Sequence, residues 1–132
     1  MTPDGTLYLM DSGDLRRVSA DGVVSTLVRR LSGRSRPGSE VGELNYHMGV
    51  WTDVAGRVYV VAAGERVVLR VDTAGKVDVV ARSRPPWSPA GGIIDADGNL
   101  WILEYDSANS VRARRIDRGG QERVFPAARP PR

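Results

Sequence analysis

Cysteine is absent from this chain of 132 residues, and histidine occurs once, as His47. Without cysteine there is no disulfide framework, no thiolate metal ligand and no cysteine nucleophile. Any imidazole chemistry must use His47. The sequence therefore excludes thiol enzymes and metal modules built from cysteine clusters.

The chain also has no long apolar segment: no apolar run approaches the ~20 residues of a membrane-spanning helix. The first residues do not resemble a secretory signal. If Met1 is the true start, we expect a cytoplasmic protein; if the chain is cut from a longer one, its compartment is open. Phosphate-loop and dinucleotide motifs are absent, since Gly91-Gly92 opens a strand where those motifs need a helix. No G-x-S-x-G nucleophile elbow occurs either. Nothing in the sequence requires a cofactor.

Lysine is nearly absent, since 18 of the 19 basic residues are arginine. Residues 111–132 contain seven arginines and two acids, whereas residues 1–110 carry 12 basic and 14 acidic groups. The basic excess is therefore a C-terminal feature. We interpret it as a solvated outer strand and tail. A nucleic-acid surface is disfavoured because no recognition helix, zinc module or stacking motif accompanies the charge.

What the sequence does contain is a threefold repeat of two blocks. In the first block an aromatic residue follows a glycine by three positions, and in the second a glycine follows an arginine by five. The first block spans residues 4–9, 55–60 and 97–102. The second spans residues 17–22, 70–75 and 115–120. A spacing of roughly 40 to 50 residues, with about four short strands per unit, is typical of β-propeller blades.

The predicted fold class is all-β: one partial propeller of about three blades, each of four antiparallel strands. The first blade should lack its innermost strand, because only three residues precede Asp4. Nearly continuous apolar runs such as residues 58–63 indicate strands covered on both faces by neighbouring blades. Prolines in the second crossover loop and the tail should stay outside the sheets. The predicted divisions are blade one (4–28), a crossover loop (29–46), blade two (47–81), a crossover loop (82–89), blade three (90–125) and a Pro/Arg-rich tail (126–132).

The segment Asp95–Tyr105, D-A-D-G-N-L-W-I-L-E-Y, precedes Arg115-Ile116-Asp117 and a glycine turn. This combination resembles the blades of NHL-repeat propellers and of their six-bladed relatives, the gluconolactonase-like and virginiamycin B lyase-like proteins. The resemblance covers nearly the whole chain and implies the fold more than any activity. It also implies that ligands bind at the rim formed by the interblade loops and the loops between second and third strands. The glutamate before an N-terminal Gly-Pro that gluconolactonase-like enzymes carry has no counterpart here.

One candidate site lies in residues 43–47, where an extended backbone would place Glu43, Asn45 and His47 on one side. Together they could ligate a divalent cation such as calcium, magnesium or zinc. Alternatively, His47 and Glu43 could act as base and orienter in a lactonase or lyase reaction. The structural alternative is that Glu43 and Asn45 cap a loop while His47 forms a hydrogen bond near the channel.

The same rim should carry further ligand-binding residues. Glu104, Asp106 and Asn109 form an acidic and amide cluster, for which the alternative is ordinary turn capping. Trp87, flanked by prolines, is either an aromatic anchor for a partner or sugar, or a cover for the apolar rim. The remaining rim candidates are Asn45, Tyr46, Asp11, Glu65 and Arg66.

Three functions remain open from the sequence. The chain is a ligand- or protein-binding propeller module completed by self-association or further blades, a metal-dependent lactonase or lyase, or a fragment of a larger propeller without activity of its own. An open arc exposes the apolar faces of its terminal blades, and such patches mark interfaces. We therefore expect a homodimer, with small-molecule or protein ligands, and neither nucleic acid nor membrane as a partner.

Overall fold

The computed structural model describes residues 2–31 and 47–127, with the backbone alone for His47 and Met48. These residues form three antiparallel sheets, each ordered as in the chain. Blade one comprises β1 (Leu7–Asp11), β2 (Asp14–Val18) and β3 (Val24–Val28). Blade two comprises β4 (His47–Thr52), β5 (Val58–Ala62), β6 (Val67–Val71) and β7 (Val77–Arg82). Blade three comprises β8 (Ser88–Ile94), β9 (Leu100–Tyr105), β10 (Val111–Ile116) and β11 (Glu122–Pro126).

The all-β partial propeller with a three-stranded first blade is confirmed. Within the described part of the chain, no helix is long and apolar enough to span a membrane.

A five-residue turn recurs six times at one end of the blades. In each turn, the N–H of the first residue donates to the carbonyl of the fifth, and the glycine in fourth place donates to the carbonyl of the first. The glycines have φ between 81° and 89°, a region that residues with a Cβ rarely adopt. This backbone requirement explains the regular glycines of the sequence repeat. The turns are residues 2–6, 19–23, 53–57, 72–76, 95–99 and 117–121.

The carboxylate of Asp95, the first residue of one turn, accepts hydrogen bonds at both of its oxygens. Its Oδ2 accepts hydrogen bonds from Trp101 Nε1 at 2.8 Å and Asn99 Nδ2 at 3.0 Å, and its Oδ1 from the amide of Asn99 at 2.9 Å. These bonds, that of Trp101 foremost, lower the pKa of Asp95 from 3.8 to about 2.

We expect a carboxyl-carbon NMR titration of Asp95 to show a midpoint near pH 2. Because the pKa is lower in the folded state, Asp95 contributes stability that is present above pH 3.8 and is lost as the pH falls toward about 2. Trp101→Phe keeps an aromatic ring but removes the indole N–H, so the midpoint should rise in that variant. An ordinary midpoint of 3.8 in the unaltered protein would contradict this account.

Strand β5 is buried along its whole length because blades cover both of its faces. Alternate residues of a strand point to opposite faces, so β5 contributes to two cores. The core shared with blade one contains Leu15, Val28, Leu31, Val58, Val60, Ala62, Val67, Leu69 and Val71. The core shared with blade three contains Tyr59, Val61, Ala63, Val68, Ala81, Leu100 and Ile102. Blade two is therefore stabilised from both sides, as the continuous apolar run predicted.

Blades two and three approach each other closely at Gly92 of β8. A Cβ at this position would overlap the carbonyl oxygen of Trp101 and lie 2.8 Å from the ring of Trp51. We expect Gly92→Ala to lower the free energy of unfolding, measured by chemical denaturation, by about 1–3 kcal/mol through overpacking. Gly91→Ala is the matched control, because nothing lies within 4 Å of a Cβ there. Equal losses in both variants would argue against close packing at Gly92.

Two prolines lie inside strands, so the prediction that they stay outside the sheets was wrong. Pro89 is buried in β8, where the pairing with β9 shifts register. Pro126 is the last residue of β11, and the next amide, that of Ala127, donates to the carbonyl of Val111 at 3.3 Å. Both strands are sheet edges, where an outward-facing proline nitrogen costs no hydrogen bond. The loop between blades two and three is limited to residues 83–87.

Candidate functional site

The end of the blades opposite the five-residue turns carries the loops at residues 12–13, 63–66, 83–87 and 106–110. Of the predicted site residues, Glu43, Asn45 and Tyr46 lie outside the described residues. His47 begins β4, and its backbone pairs with that of Ala62. The cation site and the base–orienter pair of this segment stay predictions.

Asp106 and Asn109 build a seventh turn of the same hydrogen-bonding pattern. Asp106 Oδ1 accepts hydrogen bonds from the amides of Ala108 and Ser110, both at 2.9 Å. Asn109, with φ of 59°, takes the place that glycine has elsewhere. The carboxylate of Asp106 is thus engaged by its own loop, as the turn-capping alternative predicts. Across residues 2–31 and 47–127, no three acidic or histidine side chains converge to hold a metal ion.

Glu65 and Arg66 shape the loop between β5 and β6. Glu65 ends a single 3₁₀ turn, and Arg66 follows it with a left-handed φ of 58°. The amide of Arg66 donates to the carbonyl of Ala63 at 3.1 Å, and its own carbonyl accepts from the amide of Ser83 at 2.8 Å. Arg66 therefore positions the start of the interblade loop through its backbone.

Glu104 was predicted at the end of a strand, where the rim loop begins; it lies within β9 and is 0% exposed. Its Oε1 accepts a hydrogen bond from Arg112 Nε at 2.7 Å. Its Oε2 accepts from Arg114 Nη1 at 3.0 Å and from the hydroxyl of Ser83. Both oxygens of this buried carboxylate are therefore satisfied, as burial of a charge requires.

Arg114 extends this network between blades two and three. It donates from Nη2 to Glu122 Oε1 at 2.7 Å and from Nη1 to the carbonyl of Arg82 at 3.0 Å. At 6% exposure Arg114 is not one of the solvated arginines expected in residues 111–132, although the outer strand β11 itself is largely exposed. Sequence reasoning missed four members of the network: Ser83, Arg112, Arg114 and Glu122. The sequence carried one signal of this network: Arg112 and Arg114 are two positions apart, which places both side chains on one face of β10.

The hydrogen bonds of the network keep Glu104 and Arg114 in their ionised forms. Burial by itself would raise the pKa of Glu104, but hydrogen bonds from Ser83, Arg112 and Arg114 outweigh it and hold the pKa below 4.5. Burial would lower the pKa of Arg114, but its bonds with Glu122 and Glu104 raise it. A general base works best with a pKa near the operating pH. The network is therefore suited to joining blades and not to transferring protons.

Trp87 joins the network through Arg112. The guanidinium carbon of Arg112 lies 4.3 Å from the centroid of the Trp87 ring, a cation–π contact. The structure thus brings Trp87 and Glu104 together on either side of one arginine. This contact favours the covering role for Trp87 over that of a free aromatic anchor.

Blade one repeats the central ion pair of this network at equivalent positions. Asp11 and Glu104 each follow the aromatic residue of the first block by three positions, and Arg16 in β2 corresponds to Arg114 in β10. Arg16 Nη2 lies 3.1 Å from Asp11 Oδ2. The side chains of Arg16 and Asp11 are 29% and 54% exposed, against 7% and 0% for Arg114 and Glu104. The same pair is buried where a blade covers it and open where none does.

Comparison with protein-family models finds no match, and comparison with curated proteins finds none either. Comparison with solved structures finds propellers. A gluconolactonase from Xanthomonas campestris superposes with a TM-score of 0.68 at 17% identity, over 95% of this chain and 44% of that one. A calcium-binding protein, regucalcin, from Agrobacterium tumefaciens gives 0.68 at 18%, over 96% and 43%. Virginiamycin B lyase from Staphylococcus aureus gives 0.60 at 13%, over 98% and 55%.

At these identities the likeness shows the fold alone. The chain spans about half the length of the solved propellers that it matches. It is therefore similar to part of such a propeller, in agreement with its three blades.

Proposed function

We propose that this chain is half of a propeller, which closes its ring with a second copy of itself and serves as a ligand- or protein-binding module. The observation that carries the proposal is that repeat positions buried in one blade are exposed in another. Among the described residues, blade two alone is covered on both faces. Within the described ranges, no neighbouring blade covers the outer faces of blades one and three, although the equivalent faces of blade two are both covered.

The open face of blade three has an apolar part, beside which Arg115 and Arg123 stack on the rings of Trp101 and Phe125. Ile93, Leu103 and Val111 point away from blade two and are 58%, 49% and 42% exposed. Leu103 follows the aromatic residue of its block by two positions, as Val61 does in blade two. Val61 is 0% exposed because blade three covers it. A further blade would bury Leu103 in the same way.

The open face of blade one is the complementary half of such a contact. Leu7 and Leu9 are each 43% exposed on the side away from blade two. The position of Leu9 is that of Val60 and Ile102, which are 0% and 1% exposed. The exposed pair of Asp11 and Arg16 lies on this same face.

A blade of a second copy would cover each open face, as a neighbouring blade covers the equivalent face of blade two. Blade three of one copy would pack on blade one of the other, and a two-fold axis would repeat this contact and close the ring. The chain length supports this occupant, because one copy spans between 43% and 55% of the solved propellers. The closed ring would carry two sets of rim loops around one channel, a concave place for a ligand.

Analytical ultracentrifugation tests the self-association. We expect a single species of twice the 14.3 kDa mass of one chain at micromolar concentration. A 14.3 kDa species at every concentration, or a ladder of growing oligomers, would overturn ring closure by a second copy.

A metal-dependent lactonase or lyase is the second candidate, favoured by the names of the similar structures, a gluconolactonase, a lyase and a calcium-binding protein. It would use Glu43, Asn45 and His47 at the rim. A cation bound by the folded protein alone raises the melting temperature. Calcium, magnesium or zinc should then raise it in the unaltered protein but not in His47→Ala, and no rise with any of them would count against this candidate.

A further inference from the structure

An open cleft of about 700 Å³ with an arginine-rich wall lies between β7 with its following loop in blade two and β10 and β11 in blade three. Blade two and its following loop contribute Arg82, Ser83 and Arg84, and blade three contributes Arg114 and Glu122. Three arginines and one carboxylate line the cleft. Its walls therefore carry a net positive charge.

The buried Nε–H of Arg114 is an unpaired donor at this cleft. Both Nη atoms of Arg114 are hydrogen-bonded, but its Nε has no partner among the described residues. Buried polar atoms without a partner are rare in folded proteins, and each one calls for an explanation such as a bound ion. A donor of this kind in the wall of a cleft is suited to an acceptor that enters from solvent.

Arg82 and Arg84 supply charge that the protein does not neutralise. Both side chains are exposed, and in the part of the chain that the structure describes neither lies within ion-pair distance of a carboxylate. Glu122 is engaged by Arg114 at 2.7 Å. Two positive charges therefore remain at the mouth of the cleft.

We propose that this cleft binds a phosphate group through Arg82, Arg84 and the Nε–H of Arg114. Two unbalanced positive charges match a phosphate dianion, and guanidinium groups bind phosphate oxygens with paired, charge-assisted hydrogen bonds. The tetrahedral oxygens of phosphate point in several directions, so they can accept from donors on two different blades. The site lies at the outer side of the rim, where the loop 83–87 leaves blade two.

Isothermal titration with inorganic phosphate, at an ionic strength held constant with sodium chloride, tests the proposal. We expect one saturable site per chain. Arg82→Gln and Arg84→Gln should each weaken binding about tenfold, the effect of losing a charge-assisted hydrogen bond. Arg17→Gln, the same change at an exposed position in blade one, is the control and should bind as the unaltered protein does. Absence of saturable binding, or equal weakening in all three variants, would overturn the proposal.

Arg114 itself is tested without substitution, because its replacement would disrupt the Glu104 network. The NMR signal of its Nε–H should shift on addition of phosphate and not of chloride, and an unmoved signal at saturation would overturn the assignment. Comparison of glycerol phosphate with inorganic phosphate identifies the source of the group. Tighter binding of the monoester indicates an organic ligand, and equal binding indicates the free ion; either result supports a phosphate site.

Discussion

Glu104→Ala should lower the free energy of unfolding by about 3–5 kcal/mol, the usual effect of removing one partner of a buried ion pair. The substitution leaves Arg112 and Arg114 without their shared carboxylate, and Arg114 is only 6% exposed. Domains of this size are stable by roughly 5–15 kcal/mol, so the loss would be a large fraction of the total. Urea denaturation followed by tryptophan fluorescence measures it.

Glu122→Ala is the matched control for this result. Glu122 also pairs with Arg114, at 2.7 Å, but its side chain is 50% exposed. Solvent screening limits such a pair to about 1 kcal/mol or less. Losses of similar size in Glu104→Ala and Glu122→Ala would contradict the claim that burial makes the Glu104 network important.

The network also predicts an acid dependence of stability. Because the folded-state pKa of Glu104 is below its ordinary 4.5, its contribution is present above pH 4.5 and is lost as the pH falls below that value. Glu104→Gln cannot ionise, so its unfolding free energy should fall less steeply with acid. Identical acid profiles for the two proteins would show that Glu104 does not contribute.

Leu103→Asp should separate the dimer into folded monomers. In one chain Leu103 is 49% exposed, so a charge there is hydrated and the fold should persist. In the proposed ring the same side chain would be buried at the centre of the contact, where an unpaired carboxylate is strongly disfavoured. We expect the dissociation constant to rise at least about 100-fold, as for loss of a central interface residue. Sedimentation equilibrium measures it.

Val54→Asp is the control for Leu103→Asp. Val54 is 98% exposed in a five-residue turn, away from both open blade faces. It should leave the dissociation constant unchanged. A dimer that survives Leu103→Asp, or one that Val54→Asp disrupts equally, would show that the open face of blade three is not the contact.

The fold was predictable because its backbone requirements are local. A glycine with positive φ in fourth place of each turn leaves a regular mark in the sequence, and Gly98 is an example. The continuous run at β5 indicated burial on both faces, since alternation disappears when neither face meets solvent. These two signals predicted the three blades and the covered position of β5.

The Glu104 network was not predictable because its members come from different blades. Ser83 follows β7, Arg112 and Arg114 lie in β10, and their meeting at Glu104 depends on how two sheets pack. The strand positions of Pro89 and Pro126 depend on which edge of a sheet they occupy, which local sequence does not encode.

Head-to-tail closure by a second copy is tested most directly by disulfide cross-linking, because the chain has no cysteine of its own. Leu9 and Leu103 correspond to Ile102 and Val61, which share one core between blades two and three. Leu9→Cys and Leu103→Cys proteins, refolded together and oxidised, should form a disulfide-linked dimer, whereas each variant refolded alone should not. No cross-link in the mixture, or equal cross-linking of either variant alone, would contradict the closed ring.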